Sequence, residues 1–196
     1  SKAARSPRAL VLAPTRELAI QIGEEFRAYS KHLALSQTVI FGGVSQKPQV
    51  TALMRGLDIL IATPGRLLDL MGQRYVRLDA IEFLVLDEAD RMLDMGFVHD
   101  VRKIIATMPK SRQSLLFSAT MPSEISRLSG EILTDPVRVE VTPQATPIDR
   151  IEQSIYHVTT AGKRALLDTI LKDPALSRVI VFARTKHRAN RVAEQL

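Results

Sequence analysis

Three carboxylates stand within four residues, directly after the apolar run Phe83–Leu86. Asp87, Glu88 and Asp90 would lie at the end of a buried strand, and open α/β sheets bind ligands beyond the carboxyl ends of their strands. Mg²⁺ prefers one or two carboxylates, several waters and substrate phosphates. The pattern predicts a magnesium–nucleotide site in which Asp87 holds the metal and Glu88 orients or activates the attacking water. Acids that stabilise the first turn of a helix explain the same residues equally well.

Short apolar runs alternate with helix-like segments along the chain, which is typical of βα units and a parallel sheet covered on both faces. The predicted strands are Ala9–Ala13, Thr38–Phe41, Ile59–Ala62, Phe83–Leu86 and Leu115–Phe117. The clearest helix is Glu17–Leu35, in which apolar residues recur every three or four positions up to Leu33. Thr15 is suited to cap its start, and Pro48 and Pro122 fit the first turns of two further helices.

The sequence changes character after residue 141. Residues 142–150 hold two prolines and no periodic apolar pattern, which predicts a linker between domains. A strand at Ile151–Val158, a helix at Lys163–Leu171, a strand at Val179–Ala183 and a helix at Lys186–Leu196 are predicted after it. Because these roughly 46 residues are too few for a stable parallel α/β domain, we expect residues 1–141 to form one domain and residues 151–196 to begin another.

The composition is that of a globular protein, with 45% hydrophobic and 24% charged residues, and excludes a disordered tail, a collagen and a coiled coil. No apolar run approaches the roughly 18 residues of a membrane span, and the first residues do not have the pattern of a signal peptide. Cysteine is absent, which excludes disulfides and cysteine-ligated metals and fits a cytoplasmic protein.

The net charge of +6 favours polyanionic partners such as nucleic acid. Residues 1–150 carry 19 Lys and Arg against 17 Asp and Glu, whereas residues 151–196 carry 8 against 4. Aromatic residues make up only 5% and tryptophan is absent, so base-stacking platforms are not expected. A nucleic acid would therefore be held by its backbone.

Six motifs, in their order along the chain, resemble those of the DEAD-box RNA helicases. Asp-Glu-Ala-Asp at 87–90 is the motif that names the family. The other matches are PTRELA at 14–19, the glycine doublet at 42–43, TPGR at 63–66, SAT at 118–120 and VFART at 181–185. The resemblance covers essentially the whole chain, and the stretches FGGVSQKPQ and ARTKHRANRVAEQL are most like the bacterial RhlE-type subgroup.

The resemblance implies an α/β, RecA-like parallel sheet of the P-loop NTPase type, incomplete, followed by the start of a second RecA-like domain. It also implies ATP and Mg²⁺ as ligands and RNA as a partner. The implied catalytic residues are Asp87, Glu88, Asp90, Ser118 and Thr120, with Mg²⁺ held by Asp87 and, through water, by Glu88. The implied contacts with the RNA backbone are Pro14, Thr15, Arg16, Gly42, Gly43, Thr63, Pro64, Gly65, Arg66, Arg184 and Thr185.

These residue types suit a sugar-phosphate backbone. Thr15 and Thr63 can donate hydroxyl hydrogen bonds, and glycines let a backbone approach closely. Arg16 and Arg66 can pair with phosphate in bidentate fashion, although a solvated or salt-bridged arginine is the ordinary role of a single surface arginine. The basic helix after Thr185 is equally well explained as an exposed face.

The phosphate loop that the family requires is not found. The only Gly-Lys pair is Gly162-Lys163, but Arg164 follows it and His157 stands where the first glycine belongs. The later arginine-rich motif, which supplies an arginine finger, is missing as well. We therefore expect an internal fragment of a helicase that by itself hydrolyses no measurable ATP.

The strand that precedes the phosphate loop is expected to lie centrally, beside the strand that ends at Asp87. Its absence predicts a gap that is filled by another chain, giving a homo-oligomer or strand-swapped dimer, or by Val179–Ala183. Two further functions stay open: a non-enzymatic module that binds the RNA backbone, and an inactive folded fragment. ATP binding and salt-dependent RNA binding distinguish the three.

Overall fold

Five parallel strands within residues 9–116 form one sheet. The structure is a computed structural model that describes residues 6–141 and 152–196. The strands are β1 (Ala9–Leu12), β2 (Gln37–Ile40), β3 (Ile59–Ala62), β4 (Phe83–Leu86) and β5 (Gln113–Leu116), in the spatial order β2-β3-β1-β4-β5. All five predicted strands are confirmed to within two residues at each end. Because the last residues of neighbouring strands pair with one another, all strands end along one edge.

Helices within residues 16–132 cover both faces of this sheet. The described helices are α1 (Arg16–Tyr29), α2 (Lys47–Met54), α3 (Pro64–Gly72), α4 (Ala89–Asp94), α5 (Val98–Ile105), α6 (Ser123–Ile132), α7 (Lys163–Leu171) and α8 (Lys186–Gln195). Side chains alternate along a strand, so Leu10 and Leu12 face the layer of α2 to α6 while Val11 faces α1. The predicted α/β class with helices on both faces is confirmed.

The predicted helix starts agree with the structure. The hydroxyl oxygen of Thr15 accepts a hydrogen bond from the Leu18 N–H at 3.3 Å and caps α1. Pro48 lies in the first turn of α2, and Pro122 directly precedes α6. Each proline therefore stands where its missing N–H would have had no partner within the helix.

Helix α1 ends at Tyr29, earlier than the predicted end at Leu35. Tyr29 is 81% exposed and Leu33 is 61% exposed, so the last part of the predicted apolar stripe does not reach the core. After the helix, the buried carboxylate of Asp58 accepts hydrogen bonds from the N–H and the hydroxyl of Ser36, at 2.9 and 2.8 Å. These bonds fix the chain one residue before β2, which requires the helix to stop and the chain to turn back.

No gap lies beside the strand that ends at Asp87. Strand β4 pairs with β1 on one side and with β5 on the other, over four residue pairs each. The predicted missing central strand was therefore wrongly placed, because β1 occupies the position next to β4. Within the described residues β5 is an outer strand, and a filling strand beside β4, from another chain or from Val179–Ala183, has no place to pair.

Contacts divide the chain into two units, Ser1–Arg138 and Val139–Leu196. The second unit contains α7 and α8, which match the predicted helices, and Arg164 Nη2 donates to the carbonyl of Gln195 at 3.1 Å. The predicted linker at residues 142–150, together with Ile151, lies outside the described residues. None of the described helices is long and apolar enough to cross a membrane.

The two strands predicted for the second unit are not formed. Residues 152–158 and 179–183 have no strand hydrogen bonding, and Ile180 and Phe182 are 80% and 91% exposed. An apolar, β-branched sequence becomes a strand only when a neighbour pairs with its backbone and covers its side chains. The described part of this unit supplies neither.

Candidate functional site

The carboxyl ends of the five strands gather most of the predicted site residues on one edge of the sheet. Residues 14–16, 42–43 and 63–66 follow β1, β2 and β3, which are neighbours. Residues 87–90 and 118–120 follow β4 and β5, which are also neighbours. The edge therefore has a glycine-containing half and an acidic half. Arg184 and Thr185 belong to the second unit.

Asp87 begins the acidic half directly after β4. Its N–H donates to the Leu12 carbonyl at 3.0 Å, and its Oδ1 accepts from the Glu88 N–H at 3.0 Å. Partial burial raises the pKa of the Asp87 carboxyl above its usual value, and the bond from the Glu88 N–H opposes that shift only in part. The ionised carboxylate of Asp87 is therefore less well solvated than an exposed aspartate would be.

Glu88 forms the turn between β4 and α4. Its φ of 50° is in the left-handed region, which is uncommon for a residue other than glycine and is often found at functional sites. Its Oε2 accepts from Arg91 Nη1 at 3.1 Å. Beyond this turn, the Ala89 N–H donates to the Phe117 carbonyl at 3.0 Å and joins the end of β4 to the end of β5.

Asp90 connects the two predicted acidic-half motifs. Its Oδ2 accepts from both the N–H and the hydroxyl of Thr120, at 2.9 and 2.8 Å. Its own N–H donates to the Ser118 hydroxyl oxygen at 3.1 Å, and that hydroxyl donates to the Thr120 carbonyl at 2.7 Å. Partial burial raises the pKa of Asp90, but the hydrogen bonds from Thr120 outweigh burial and leave that pKa below its usual value. Asp90 is therefore ionised and fastens the loop after β5.

The donor set around Asp87 fits magnesium. Within residues 6–141 and 152–196, only the Glu88 amide donates a recorded hydrogen bond to this desolvated carboxylate. The same residues contain no group of three or more His, Asp or Glu side chains arranged to hold a metal by themselves. A cation held by one or two carboxylates, with phosphates and water completing its shell, is the arrangement that Mg²⁺ prefers.

Arg16 lies on the glycine-containing half. Its guanidinium carbon is 5.7 Å from the centre of the Phe41 ring, and its Nε is 3.6 Å from a carboxylate oxygen of Glu17. The side chain is 48% exposed. Arg16 thus joins the start of α1 to the end of β2 and still presents its charge to solvent.

The glycine loop, defined here as Phe41–Gln46, follows β2. A Cβ atom at Gly42 or Gly43 would meet no atom within 4 Å, and Gly43 has a φ of 78°, which L-residues with side chains rarely adopt. Both glycines are exposed. The loop therefore offers bare backbone to solvent.

Residues 63–66 form the start of α3. The Thr63 N–H donates to the Ile40 carbonyl at 3.0 Å, and both Thr63 and Pro64 are buried, while Gly65 is exposed. The first turn of a helix has amide groups without helical partners, which suits an anion. Buried Thr63 and Pro64 fix this turn, and Gly65 is its open position.

Arg66 is turned toward the protein. Its side chain is only 11% exposed, its Nη2 donates to the Val44 carbonyl at 2.9 Å, and its Nε lies 3.9 Å from Asp69 Oδ2. Its Nη1 is buried and has no hydrogen-bond partner among the described residues. The predicted bidentate phosphate contact would require the guanidinium to leave these groups.

In the second unit, the hydroxyl oxygen of Thr185 accepts from the Arg188 N–H at 3.3 Å and caps α8. Arg184 and the basic residues Lys186, Arg188 and Arg191 are exposed. This segment is therefore an ordinary capped helix with a basic surface.

Sequence reasoning missed the polar side chains that hold the glycine loop. Gln49 exchanges two hydrogen bonds with the backbone of Phe41, both at 3.1 Å, and Gln46 pairs with Gln73. Asp69 accepts from Gln73 at 2.8 Å. One signal was available: Arg66, Asp69 and Gln73 stand three and four residues apart on one helix face.

Comparison with known proteins gives three findings about the first unit and the chain as a whole. A family model described as DEAD/DEAH box helicase matches residues 1–128. The chain is 45% identical over 193 residues to the ATP-dependent RNA helicase RhlB of Pseudomonas putida, covering 97% of this chain and 48% of that protein. It is 42% identical over 183 residues to the protein of the same name from Shewanella denitrificans, covering 92% and 42%.

A solved structure is also similar. The crystal structure of a DEAD box protein from the hyperthermophile Methanococcus jannaschii matches with a TM-score of 0.65 and 35% identity, over 97% of this chain and 51% of that one. The chain thus spans about half the length of the curated relatives and of the solved structure that it matches.

Proposed function

This chain belongs to the DEAD/DEAH box helicase family, and we propose that its protein is an ATP-dependent RNA helicase. In this proposal the protein binds ATP with Mg²⁺, grips the sugar-phosphate backbone of RNA without reading its sequence, and separates short duplexes locally. The two bacterial relatives described above carry the name of that activity.

The observation that carries the proposal is the contact between Asp90 and Thr120. It joins the loop after β4, which holds the candidate nucleotide residues, to the loop after β5 through two hydrogen bonds of 2.9 and 2.8 Å. A change in one loop on nucleotide binding would therefore be transmitted to the other. Such a link is what coupling between nucleotide hydrolysis and strand separation needs.

On the acidic half, Asp87 would hold Mg²⁺ directly and Glu88 would hold it through water. The ion supplies charge neutralisation for the phosphates when it is bound. Glu88 would orient the attacking water and accept its proton at a carboxylate oxygen. Arg91, whose Nη1 lies 3.1 Å from Glu88 Oε2, would help to orient that carboxylate.

On the glycine-containing half, the backbone of Gly42, Gly43 and Gly65 would approach RNA phosphates, and Arg16 would add a positive charge. Backbone contacts of this kind carry no sequence information. The open space at the three glycine positions supports the proposal, since nothing within 4 Å of a Cβ there blocks a ligand.

We also propose that residues 1–141 form a first RecA-like domain, that residues 142–150 link it to the next, and that residues 151–196 begin a second. The division of contacts at Arg138 and the family match to residue 128 support this arrangement. The RhlE-type subgroup stays a prediction, since the two relatives described above are both named RhlB.

The test is RNA-stimulated phosphate release and displacement of a short labelled RNA strand by the full-length protein. The variant Glu88→Gln removes the proposed base and should lower phosphate release by about 100-fold or more. The matched control is Asp94→Asn, an exposed acid at the end of α4, which should retain the parent rate.

Phosphate release that is independent of RNA, or unchanged in Glu88→Gln, would contradict the helicase proposal. Salt-dependent RNA binding with no nucleotide turnover in the full-length protein would instead identify a module that only binds the RNA backbone.

A further inference from the structure

We propose that Asp69 and Gln73 are positioning residues that, together with Arg66, clamp the glycine loop in the conformation that meets the RNA backbone. The clamp rests on the proposed RNA-binding role of that loop. None of its three side chains needs to touch RNA for the clamp to act.

The first connection runs through Arg66. Its Nη2 donates to the Val44 carbonyl at 2.9 Å, in the middle of the glycine loop, and its Nε faces Asp69 Oδ2 at 3.9 Å. Because the Arg66 side chain is 11% exposed, this charge is taken largely out of water, and the carboxylate of Asp69 is its acidic neighbour. Asp69 therefore holds the Arg66 guanidinium in position to donate its hydrogen bond to the Val44 carbonyl.

The second connection runs through Gln73, which directly follows α3 and lies four residues after Asp69. Its Nε2 donates to Asp69 Oδ1 at 2.8 Å and to Gln46 Oε1 at 3.2 Å, while Gln46 Nε2 donates back to Gln73 Oε1 at 2.9 Å. The two oxygens of Asp69 thus serve the two connections. Gln46 ends the glycine loop, so α3 holds the loop at its middle and at its end.

The start of the loop is held separately. Buried Gln49 of α2 accepts from the Phe41 N–H and donates to the Phe41 carbonyl, both at 3.1 Å. Between these anchors, Gly42 and Gly43 are exposed, and a Cβ atom added to either would meet no other atom within 4 Å. A glycine pair left free would lose more conformational freedom on binding than any other residue pair, so fixing its neighbours beforehand favours binding.

Because Asp69 is negatively charged, the clamp can be tested by whether its removal weakens or strengthens RNA binding. Removal of a negative charge beside an RNA site should strengthen binding of a polyanion if electrostatics alone decides. Removal of the carboxylate would also free Arg66 to reach phosphate. The clamp predicts the opposite outcome, because the glycine loop loses two of its anchors.

The experiment measures binding of a fluorescein-labelled oligouridylate by the full-length protein, by fluorescence anisotropy across a range of salt concentrations. Asp69→Ala should weaken binding by about 5- to 10-fold and Gln73→Ala by about 2- to 3-fold, in line with the cost of ordering a few residues. Asp69→Asn, which keeps an acceptor oxygen for Gln73, should recover part of the loss.

The matched control is Asp100→Ala. Asp100 lies on α5 and faces Lys103 at 3.9 Å with the same three-residue spacing as Arg66 and Asp69, but it has no connection to the glycine loop. This variant should bind RNA at least as tightly as the parent protein.

Hydrogen exchange of the amides of residues 42–46 gives a second readout that needs no RNA. Exchange there should become faster in Asp69→Ala and in Gln73→Ala, but not in Asp100→Ala. Equal or tighter RNA binding by Asp69→Ala, or unchanged exchange in the loop, would overturn the clamp. If the parent protein does not bind the labelled RNA, the proposed function fails, and the exchange measurement still decides whether the clamp exists.

Discussion

On the half of the strand edge that follows β1, β2 and β3, side chains hold the backbone of a loop and leave glycines open. On the half that follows β4 and β5, the acidic side chains are themselves the acceptors: Asp87 for the Glu88 amide and Asp90 for both donors of Thr120. The first half presents bare backbone beside the cation of Arg16, and the second presents carboxylates. This difference matches a division between a polymer held by its phosphates and a nucleotide held with a cation.

The acidic half contains a second contrast. Burial raises the pKa of Asp87, whereas hydrogen bonds from Thr120 overcome burial and lower the pKa of Asp90. Two aspartates three positions apart therefore have opposite effects on stability when they are ionised. Asp90 is a structural fastening, whereas the unfavourable charge of Asp87 fits its proposed role in holding a cation.

The largest effect is expected from Asp90→Ala. The variant removes the acceptor for the N–H and hydroxyl of Thr120 and should lower the free energy of unfolding by about 2 kcal/mol, measured by urea denaturation at pH 7. Because the pKa of Asp90 is lowered in the folded protein, its contribution is present above the ordinary aspartate value of 3.8 and is lost as the pH falls through the folded value. The difference between parent and variant should therefore shrink in acid.

Asp94→Ala is the control for this measurement, since Asp94 is an exposed aspartate of the same helix. It should change the free energy of unfolding by less than about 0.5 kcal/mol. An equal loss in the free energy of unfolding in both variants would mean that the bonds between Asp90 and Thr120 do not stabilise the connection between the two loops.

A smaller effect is expected on the glycine-containing half from Gly43→Ala. Alanine at a φ of 78° should cost about 1 kcal/mol of stability, since its Cβ approaches the following carbonyl oxygen. Gly42→Ala is the matched control, because its Cβ also enters open space and its φ is not positive. If both variants lose RNA binding equally with no difference in urea midpoint, the open space at the glycines, rather than the conformation of Gly43, is what matters.

Much of the sheet that positions the two halves could be predicted from the sequence. The strands around Leu10, Leu60 and Leu84 are continuous apolar runs bounded by turn residues, and the sheet supplied the neighbours that such runs need. The same kind of run at Val179–Ala183 formed no strand in the described residues, because pairing depends on a neighbour that local sequence does not encode. Strand adjacency is also a long-range property, and for that reason the gap beside β4 was wrongly predicted.

The site shows the same limit. The acidic positions Asp87 and Asp90 were identified from their place after an apolar run, but their opposite pKa shifts depend on burial and on Thr120, thirty residues away from Asp90. Arg66 was predicted to face phosphate, although the structure directs it to Val44. A side chain's type limits what it can bind, whereas its packing decides what it does bind.

The smallest effect concerns Asp87→Asn, and its sign is the sharpest test of the contrast with Asp90. The folded pKa of Asp87 is raised, so ionisation above the ordinary value of 3.8 lowers the stability of the folded protein. Asparagine cannot ionise, and its amide oxygen can still accept the hydrogen bond that the Glu88 N–H donates to Asp87 Oδ1 at 3.0 Å. The variant should therefore raise the urea midpoint slightly at pH 7, and this gain should narrow as the pH is lowered toward 4.

The control Asp79→Asn, an exposed acid paired with Arg77 at 2.7 Å, should show no gain. A loss of stability in Asp87→Asn at pH 7 would mean that the protein itself compensates the charge of Asp87, and the carboxylate would then not be one kept for a cation.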